Sequence, residues 1–415
     1  MMEKDYTMME KDYTNDQGVV VQMVTFLCDE ERISSDRQFF YEMLPYVSPK
    51  IVSVDKDDRG IAVACRACDE GEVRAQIEIL YGMVEGGGLK GREVPVKTLE
   101  DYSGVPVANE ESIFEQLLAR GDVREMAHGS YAYSGLFLKA LQYFDAKIED
   151  YGRATFPSIC EHDFPVLHPI SRYEQGGYFE NFPHYMMFQT SLKNDIQVLD
   201  RFAREGVGDG SVFEQTRTPE NVLRHAACVP VYEMLEGATV PSDAPLEFLV
   251  SGTCFRNEGA NVFELARINE FHMKEYVFVG SPEQCSERMA NAKLLWDFWR
   301  ETFSANTKLD TANDSFFASN YKKLKFFQVL GDSKREFKWK IPAHSSYISC
   351  GSMNFHRTHF SKPFSIRNEA RDYCYTSCFA FGVERLAFAL LSQKGLDVDA
   401  WDDPTRAELA RYVEL

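Results

Sequence analysis

The C-terminal two thirds of the chain contain long apolar segments that are typical of strands, and these segments do not alternate regularly with helices. LEFLVSGTCFRNE and INEFHMKEYVFVG are the clearest of them, and strand-like patterns dominate again from 335 to 380. A parallel sheet is built from regular strand–helix alternation, so this order favours an antiparallel sheet with helices packed against it. The sequence therefore predicts an α+β fold.

The length of the chain predicts more than one structural unit. At 415 residues it exceeds the usual size of a single domain, so we expect a large core domain and a smaller one. Residues 1–17 contain a direct repeat of MMEKDYT and are expected to form a disordered leader. Residues 18–105 combine apolar runs with one helical pattern, which predicts a small α+β domain at the N-terminus. Residues 106–415 form the main domain, which closes with a helix over VERLAFALLSQKG.

Charge and cysteine usage exclude several classes of protein. The net charge is −19, and so acidic a chain repels polyanions over most of its surface, unlike the usual binder of RNA or DNA. The chain has ten irregularly spaced cysteines and no basic-then-apolar secretory signal at its start, which favours free thiols or metal ligands over disulfides. No apolar run is long enough to span a membrane. We therefore expect a soluble, cytoplasmic protein.

One segment departs from this acidity. Residues 320–340, NYKKLKFFQVLGDSKREFKWK, carry seven basic side chains against two acidic ones. A solvated face of a helix or hairpin accounts for such a run as well as a docking site does. Both interpretations stay open at this point.

The region between residues 253 and 279 concentrates groups that nucleotides need. If 253–258 and 266–279 are paired antiparallel strands, residues two apart share a face. Arg256 and Glu258 then point the same way, as do alternate residues of the partner strand, which are Arg267, Asn269, Phe271, Met273 and Glu275.

These side chains match the parts of a nucleotide. Arginine forks bind phosphate oxygens, and an aromatic ring stacks on a base. A carboxylate accepts a hydrogen bond from an exocyclic amine. The alternative is a cross-strand ladder of arginines and glutamates on a solvated face, which is common in antiparallel sheets.

A second segment favours the nucleotide site. In TSCFAFGVERLAFALL a strand passes into a helix through Gly382, and Arg385 lies in the first helical turn. Glycine permits the close approach of a ligand, and arginine at this point can meet a phosphate. Together, FRNE, the RxxxFxxxE spacing and the late GxxR resemble motifs 2 and 3 of the class II aminoacyl-tRNA synthetases, over about residues 120–395.

The resemblance implies a role for each matching residue in ATP binding. Arg256 matches the arginine that holds the α-phosphate of ATP and the aminoacyl carbonyl. Glu258 matches the acceptor of the adenine amine, and Phe271 the ring that stacks on adenine. Arg267 and Arg385 match the residues that hold the γ-phosphate of a bent ATP. Catalysis in that family is mostly positioning and charge neutralisation during attack of a carboxylate on the α-phosphate.

The resemblance also implies a metal site. Cys228, Glu275 and Cys378 correspond to the Cys/Glu/Cys zinc ligands of the atypical, methanogen-type seryl-tRNA synthetases and of their shorter relatives, the amino acid:[carrier protein] ligases. Two thiolates and a carboxylate leave a fourth position open, and in that group it takes the α-amino group of the substrate. Taken singly, each cysteine is better explained as a small buried apolar residue.

Other segments are similar to the carrier-protein ligases. They are CVPVYEML, YFENFP, ANDSFF and GSMNFHRTHF. Within the last of these, Ser352 and Asn354 are candidate amino-acid-binding residues. Seryl-tRNA synthetases carry a glutamate shortly before this motif that helps to hold Mg²⁺. SSYISCGSMN lacks it, so the ligands of the expected Mg²⁺ stay open.

The function expected from this resemblance is that of an ATP-dependent ligase. It would activate glycine, alanine or serine as an adenylate and transfer it to the phosphopantetheine thiol of a carrier protein. Carrier proteins are acidic, so 320–340 would provide the basic docking surface. The alternatives are a seryl-type aminoacyl-tRNA synthetase and an inactive paralogue with a binding or regulatory role. By analogy with the class II cores we expect a homodimer.

Overall fold

The small N-terminal unit is an antiparallel sheet covered by helices. The computed structural model describes residues 9–14, 20–57, 59–86, 96–208, 210–312, 317 and 333–415. The sheet has the strand order β1-β2-β4-β3, and its strands are β1 Met9–Thr14, β2 Val20–Leu27, β3 Ile51–Asp57 and β4 Gly60–Arg66. Its helices are Glu30–Ile33, Arg37–Met43 and Glu70–Gly86. The unit has its own buried core, which includes Phe39, Phe40 and Val63.

The main domain is built on an eight-stranded sheet, with the order β5-β15-β16-β17-β19-β14-β13-β8. Every neighbouring pair is antiparallel except β8 and β13, which are parallel. The strands are β5 Thr98–Asp101, β8 Cys160–Asp163, β13 Leu246–Phe255, β14 Glu270–Gly280, β15 Thr307–Thr311, β16 Lys334–Ile341, β17 Ser346–Arg357 and β19 Tyr375–Gly382.

Short strands and helices surround this sheet. The remaining strands are β6 Val123–Ala127, β7 Ser130–Tyr133, β9 Leu167–Pro169, β10 Phe188–Gln189, β11 Asn221–Leu223, β12 Thr239–Val240 and β18 Arg367–Asn368. The helices are Phe114–Arg120, Gly135–Thr155, Ile170–Gln175, Tyr178–Asn181, Ile196–Glu205, Val229–Met234, Pro282–Thr302, Val383–Lys394 and Asp403–Leu409.

The two faces of the sheet have different tasks because successive side chains of a strand alternate between them. On β14, Tyr276 and Phe278 pack into the large core beneath the three long helices, Gly135–Thr155, Pro282–Thr302 and Val383–Lys394. On the opposite face, Met273, Val277 and Val279 of β14 pack into a second core. This second face carries the candidate site.

The predicted fold class is confirmed, since the large sheet is mostly antiparallel and is flanked by helices. The closing helix ends as expected, with Gly395 at a φ of 79° as its C-cap. In the described chain, no helix combines the length and the apolar character that crossing a membrane requires.

Three boundaries differ from the expectations. The sequence predicts that Met9–Thr14 belongs to a disordered leader, but this segment pairs with Val20–Leu27 as an edge strand. Its backbone N–H and C=O groups that face β2 are satisfied by that pairing. The predicted N-terminal domain includes Thr98–Asp101, whereas this strand pairs with β15 of the large sheet. The central hairpin is also shorter at its loop end, because β13 stops at Phe255 and β14 starts at Glu270. The intervening loop is therefore longer than expected.

Candidate active site

A cavity of about 2360 Å³ lies on the second face of the large sheet. Its walls come from β14, β17, β19, the loop between β13 and β14, and the N-terminal unit. Single small-molecule pockets usually measure about 300–1,000 Å³, so this space accommodates more than one ligand. Arg256, Glu258, Arg267, Phe271 and Arg385, which the sequence singled out, all line it.

Arg256 and Phe271 form one wall of the cavity. The Arg256 guanidinium carbon lies 5.1 Å from the centre of the Phe271 ring, which is within cation–π range. Its Nε donates to the carbonyl of His225 at 3.1 Å, so one edge of the guanidinium is fixed and the remaining N–H groups are directed elsewhere. An arginine held in this way is pre-organised for a phosphate or carboxylate.

Glu258 and Arg267 form an ion pair beside this wall. Arg267 Nη1 lies 3.0 Å from Glu258 Oε2, and Glu258 is almost completely buried. The Glu258 backbone N–H donates to Asn269 Oδ1 at 2.9 Å, which fixes the turn. Burial is the largest single influence and lowers the pKa of Arg267, but Glu258 and the neighbouring groups Tyr185 and Glu42 together raise it more, so the net shift is upward. Arg267 therefore stays charged in its half-buried position.

Gly382 ends β19, and Arg385 lies in the first turn of the helix Val383–Lys394, as the sequence predicts. Arg385 Nη1 donates to the carbonyl of Ser349 on β17 at 3.0 Å. Burial lowers the pKa of Arg385, and the positive charge of Arg267 adds to this effect. The cavity thus brings three arginines together, and an anionic ligand would relieve their mutual repulsion.

The three predicted metal ligands converge on the same face of the sheet. A sulfur of Cys228, a sulfur of Cys378 and a carboxylate oxygen of Glu275 all lie within 4.8 Å of one another, and all three residues are buried. The ligand atoms of a tetrahedral zinc site lie about 3.6–3.8 Å apart, by the bond lengths of the ion. Small side-chain movements would therefore bring this set to coordination distance, and its donor chemistry fits Zn²⁺.

Strand pairing explains the convergence. Val277 of β14 pairs with Cys378 of β19, so Glu275 lies two residues further along on the same face. Cys228 comes immediately before the helix Val229–Met234, and its backbone N–H donates to Glu275 Oε1 at 2.9 Å.

The pKa values of the Cys228 and Cys378 thiols are both raised. The pKa of Cys228 is raised by its hydrogen bond with Cys378, by burial and by the Glu275 carboxylate. The hydrogen bond with Cys228 lowers the pKa of Cys378, but burial and Glu275 raise it more, to about 11. Both thiols therefore hold their protons at neutral pH, and a metal cation would have to displace them.

Asn354 and Ser352, the candidate substrate-binding residues, lie on β17 and also line the cavity. The Asn354 amide donates to Ser352 Oγ at 3.1 Å and approaches Cys378 Sγ at 3.5 Å. These residues therefore connect the metal-ligand set with the rest of the pocket.

The sequence analysis missed His356, whose Nε2 lies 3.7 Å from Cys378 Sγ. The hydroxyl of Tyr232 lies 3.3 Å from the other ring nitrogen, Nδ1, which helps to orient the imidazole. His356 is thus a second neighbour of Cys378 Sγ, beside the Asn354 amide. Polar groups around a metal ligand commonly orient it. The segment GSMNFHRTHF resembles the carrier-protein ligases as a whole. Strand periodicity does not indicate a role for one histidine near the end of a strand.

The expected basic docking surface lies only partly within the described residues. Residues 320–332 fall outside them. Of the remainder, Lys334 and Lys338 lie on β16, where both ammonium groups are within 4 Å of Glu336 and Lys338 also contacts Asp310. Acidic neighbours therefore compensate two of the four described cations of this segment, Lys334 and Lys338.

Comparisons with known proteins identify similar sequences and a similar fold. A family profile described as tRNA synthetase class II core domain (G, H, P, S and T) matches residues 212–394. Amino acid–[acyl-carrier-protein] ligase 1 of Bradyrhizobium diazoefficiens is 26% identical over 282 residues, which cover 67% of this chain and 84% of that protein. Ligase 2 of the same organism is 27% identical over 273 residues, or 66% of this chain and 80% of that protein.

The type-2 serine–tRNA ligases form a second group of relatives. The enzyme of Methanopyrus kandleri is 29% identical over 267 residues, and the match spans 58% of this chain but only 49% of that enzyme. A crystal structure of A. aeolicus tRNASec in complex with M. kandleri SerRS superposes with a TM-score of 0.70 at 21% identity, covering 94% of this chain and 78% of that chain. Residues 212–394 therefore match the class II core-domain profile, the fold is similar to that of a class II enzyme, and the relatives aligned over most of their own length are named as ligases.

Proposed function

We propose that this chain, which carries a class II synthetase core, activates a small amino acid with ATP and transfers it to the phosphopantetheine thiol of a carrier protein. The observation that carries the proposal is that one cavity holds both the arginine cluster and the Cys228/Glu275/Cys378 set. The arginine cluster would bind a nucleoside triphosphate, and the Cys228/Glu275/Cys378 set would bind a metal ion that takes an amine.

The first step joins the amino acid to AMP. A carboxylate oxygen of the amino acid attacks the α-phosphorus of ATP, an O–P bond forms, and pyrophosphate leaves with the electrons of the broken bond. Arg256 neutralises charge at the α-phosphate, while Arg267 and Arg385 hold the departing phosphates. Glu258 accepts from the adenine amine, and Phe271 stacks on the ring. The carboxylate is already ionised, so this step needs no general base.

The second step passes the acyl group to sulfur. The carrier thiol attacks the adenylate carbonyl, a C–S bond forms, and AMP leaves as the proton of the thiol passes to solvent. Zn²⁺, when bound by Cys228, Glu275 and Cys378, supplies a Lewis-acid position for the free amine of the substrate. That position favours substrates with a primary α-amine, and the aromatic rings of Tyr178 and Phe360 line the same cavity, which favours a small side chain.

The partner would be an acidic carrier protein docking near residues 320–340. The relatives named as acyl-carrier-protein ligases support this choice because the match covers most of their length. A net charge of −19 disfavours a large polyanion such as tRNA, whereas a small acidic carrier needs only a local basic surface to dock. A homodimer and a requirement for Mg²⁺ belong to the same proposal.

A seryl-type aminoacyl-tRNA synthetase is the second candidate. It is favoured by the similarity to M. kandleri SerRS, because coverage of 94% of this chain extends into the N-terminal unit. In that reading the N-terminal unit would contact tRNA.

Transfer of a radiolabelled amino acid separates the two candidates. We expect pyrophosphate exchange with glycine, alanine or serine, followed by labelling of phosphopantetheinylated carrier protein. The matched acceptor controls are the carrier without its prosthetic group and bulk tRNA. Labelling of tRNA but not of the carrier would support the second candidate. Absence of exchange with all twenty amino acids, with zinc present, would refute both and indicate an inactive paralogue.

A further inference from the structure

The N-terminal unit packs directly on the turn that carries Glu258. This turn is a short 3-10 helix over Gly259–Asn261, which follows Glu258 immediately. Asn261 Nδ2 donates to the carbonyl of Glu42, in the N-terminal unit, at 3.1 Å. Gly259 has a φ of +54°, and a Cβ at that position would lie 3.6 Å from the Tyr46 ring. The turn and the N-terminal unit are therefore in van der Waals contact.

Tyr46 lies at the centre of this contact. Its hydroxyl oxygen is shielded from solvent. Burial raises the pKa of Tyr46, the Glu258 carboxylate raises it further, and the side chain of Asn261 acts in the opposite direction. The phenol of the N-terminal unit and the carboxylate that is expected to meet adenine are thus electrostatic neighbours.

A row of rings links Tyr46 with Arg256. The Tyr46 ring meets His184 edge-on at 5.0 Å between centroids, and the centroids of His184 and Tyr185 are 4.0 Å apart. The Arg256 guanidinium carbon lies 5.4 Å from the Tyr185 centroid. Burial lowers the pKa of His184 to about 3, and Arg256 contributes to this shift. The imidazole is therefore neutral and acts as a packing plate beside the cation.

We propose that the N-terminal unit completes the adenosine end of the site, with Tyr46 and Asn261 as positioning residues for the Glu258 turn. This inference rests on the proposed function, because it assigns the cavity beside Glu258 to ATP. A loop ordered before binding costs less entropy when the ligand arrives. Loss of the support should therefore weaken ATP and leave the amino acid, which binds at the other end of the cavity, unaffected.

The test compares ATP and amino-acid affinities in single variants of the full chain. Asn261→Ala removes the 3.1 Å bond to Glu42, and Tyr46→Ala removes the ring beneath Gly259. Each should weaken binding of a non-hydrolysable ATP analogue by about fivefold, the effect of one typical hydrogen bond or small contact. Affinity for the amino acid, measured separately by calorimetry, should stay unchanged. Tyr46→Phe keeps the ring and should retain most of the ATP affinity.

Tyr81→Phe is the matched control in the same unit. The Tyr81 hydroxyl accepts from the Asp29 backbone N–H at 2.6 Å, so its loss perturbs the N-terminal unit itself. We expect normal ATP binding in this variant. Equal ATP affinity in wild type, Asn261→Ala and Tyr46→Ala would overturn the inference, and so would an equal loss in Tyr81→Phe. A wild-type protein that binds no ATP would instead overturn the proposed function, which separates the two failures.

Discussion

Zinc binding should release two protons, because both cysteine ligands are protonated in the metal-free protein at neutral pH. The pKa of Cys378 is about 11, and that of Cys228 is raised by Cys378, by burial and by Glu275. Below these values each thiol that ionises on binding adds one power of ten per pH unit to the affinity. Two thiols give about 100-fold per pH unit. Between pH 6 and pH 8 the gain is about 10,000-fold, or about 5.4 kcal/mol.

Competition with a chromophoric chelator, at several pH values and with the protonation of the chelator taken into account, measures this slope. Wild type should give a slope of two in the logarithm of affinity against pH. Cys228→Ser and Cys378→Ser should each give a slope of one and a weaker site. Cys254→Ser is the control, since Cys254 is buried on β13 and burial raises its pKa to about 12. A wild-type slope near zero would refute the reasoning, because binding would then displace no thiol protons.

The metal-free protein should show the opposite trend in stability. A thiol with a raised pKa in the folded state stabilises the fold fully below the unfolded value, about 8.5, and this contribution is lost as pH rises through the folded value. Metal-free protein should therefore unfold at lower urea concentration at pH 10 than at pH 8. A midpoint that stays constant or rises over this range would contradict the shifts of Cys228 and Cys378.

Three further substitutions test separate parts of the structure. Phe271→Ala should raise KM for ATP about tenfold in pyrophosphate exchange, with KM for the amino acid unchanged; equal effects on both would show that the ring does not stack on the nucleotide. Glu408→Ala leaves the Lys147 ammonium buried, since the two are 2.7 Å apart, and should lower the free energy of unfolding by about 3–5 kcal/mol in urea; a loss under 1 kcal/mol would contradict this. The hydrogen bond to Glu384 raises the pKa of His272, so its stabilisation is complete below the unfolded value of about 6.5 and is lost as pH rises through the folded value. His272→Gln should therefore differ most from wild type in acid, and a difference that grows with pH would refute the shift.

Period-two alternation correctly predicted that alternate residues of β14 share one face. Phe271, Met273 and Glu275 all line the cavity, as the spacing required. The same rule does not explain Arg256 and Glu258, because the strand ends at Phe255 and these two lie in the loop. They reach the cavity through a turn with a left-handed glycine and through hydrogen bonds to the neighbouring segment, which alternation does not encode.

The long-range parts of the site were beyond local sequence rules. Cys228, Glu275 and Cys378 meet only because β14 and β19 are paired and the helix after Cys228 lies above them. Their selection depended on resemblance to a family. The packing of Tyr46 on the Glu258 turn is a tertiary contact between distant segments, and nothing in either segment alone marks it.

The charge distribution explains how an acidic chain can bind a triphosphate. The net charge of −19 makes the protein repel polyanions, but screening confines that repulsion to about 8 Å in physiological salt. Within the cavity, Arg256, Arg267 and Arg385 act at contact distance, and the lowered pKa of Arg385 reflects first its burial and then the cations beside it. A compact anion repays that cost by pairing with all three. We therefore expect the proposed site to favour a short, highly charged ligand over an extended one, because only the former can place its charge inside the cavity without bringing the rest of a polyanion against the acidic surface.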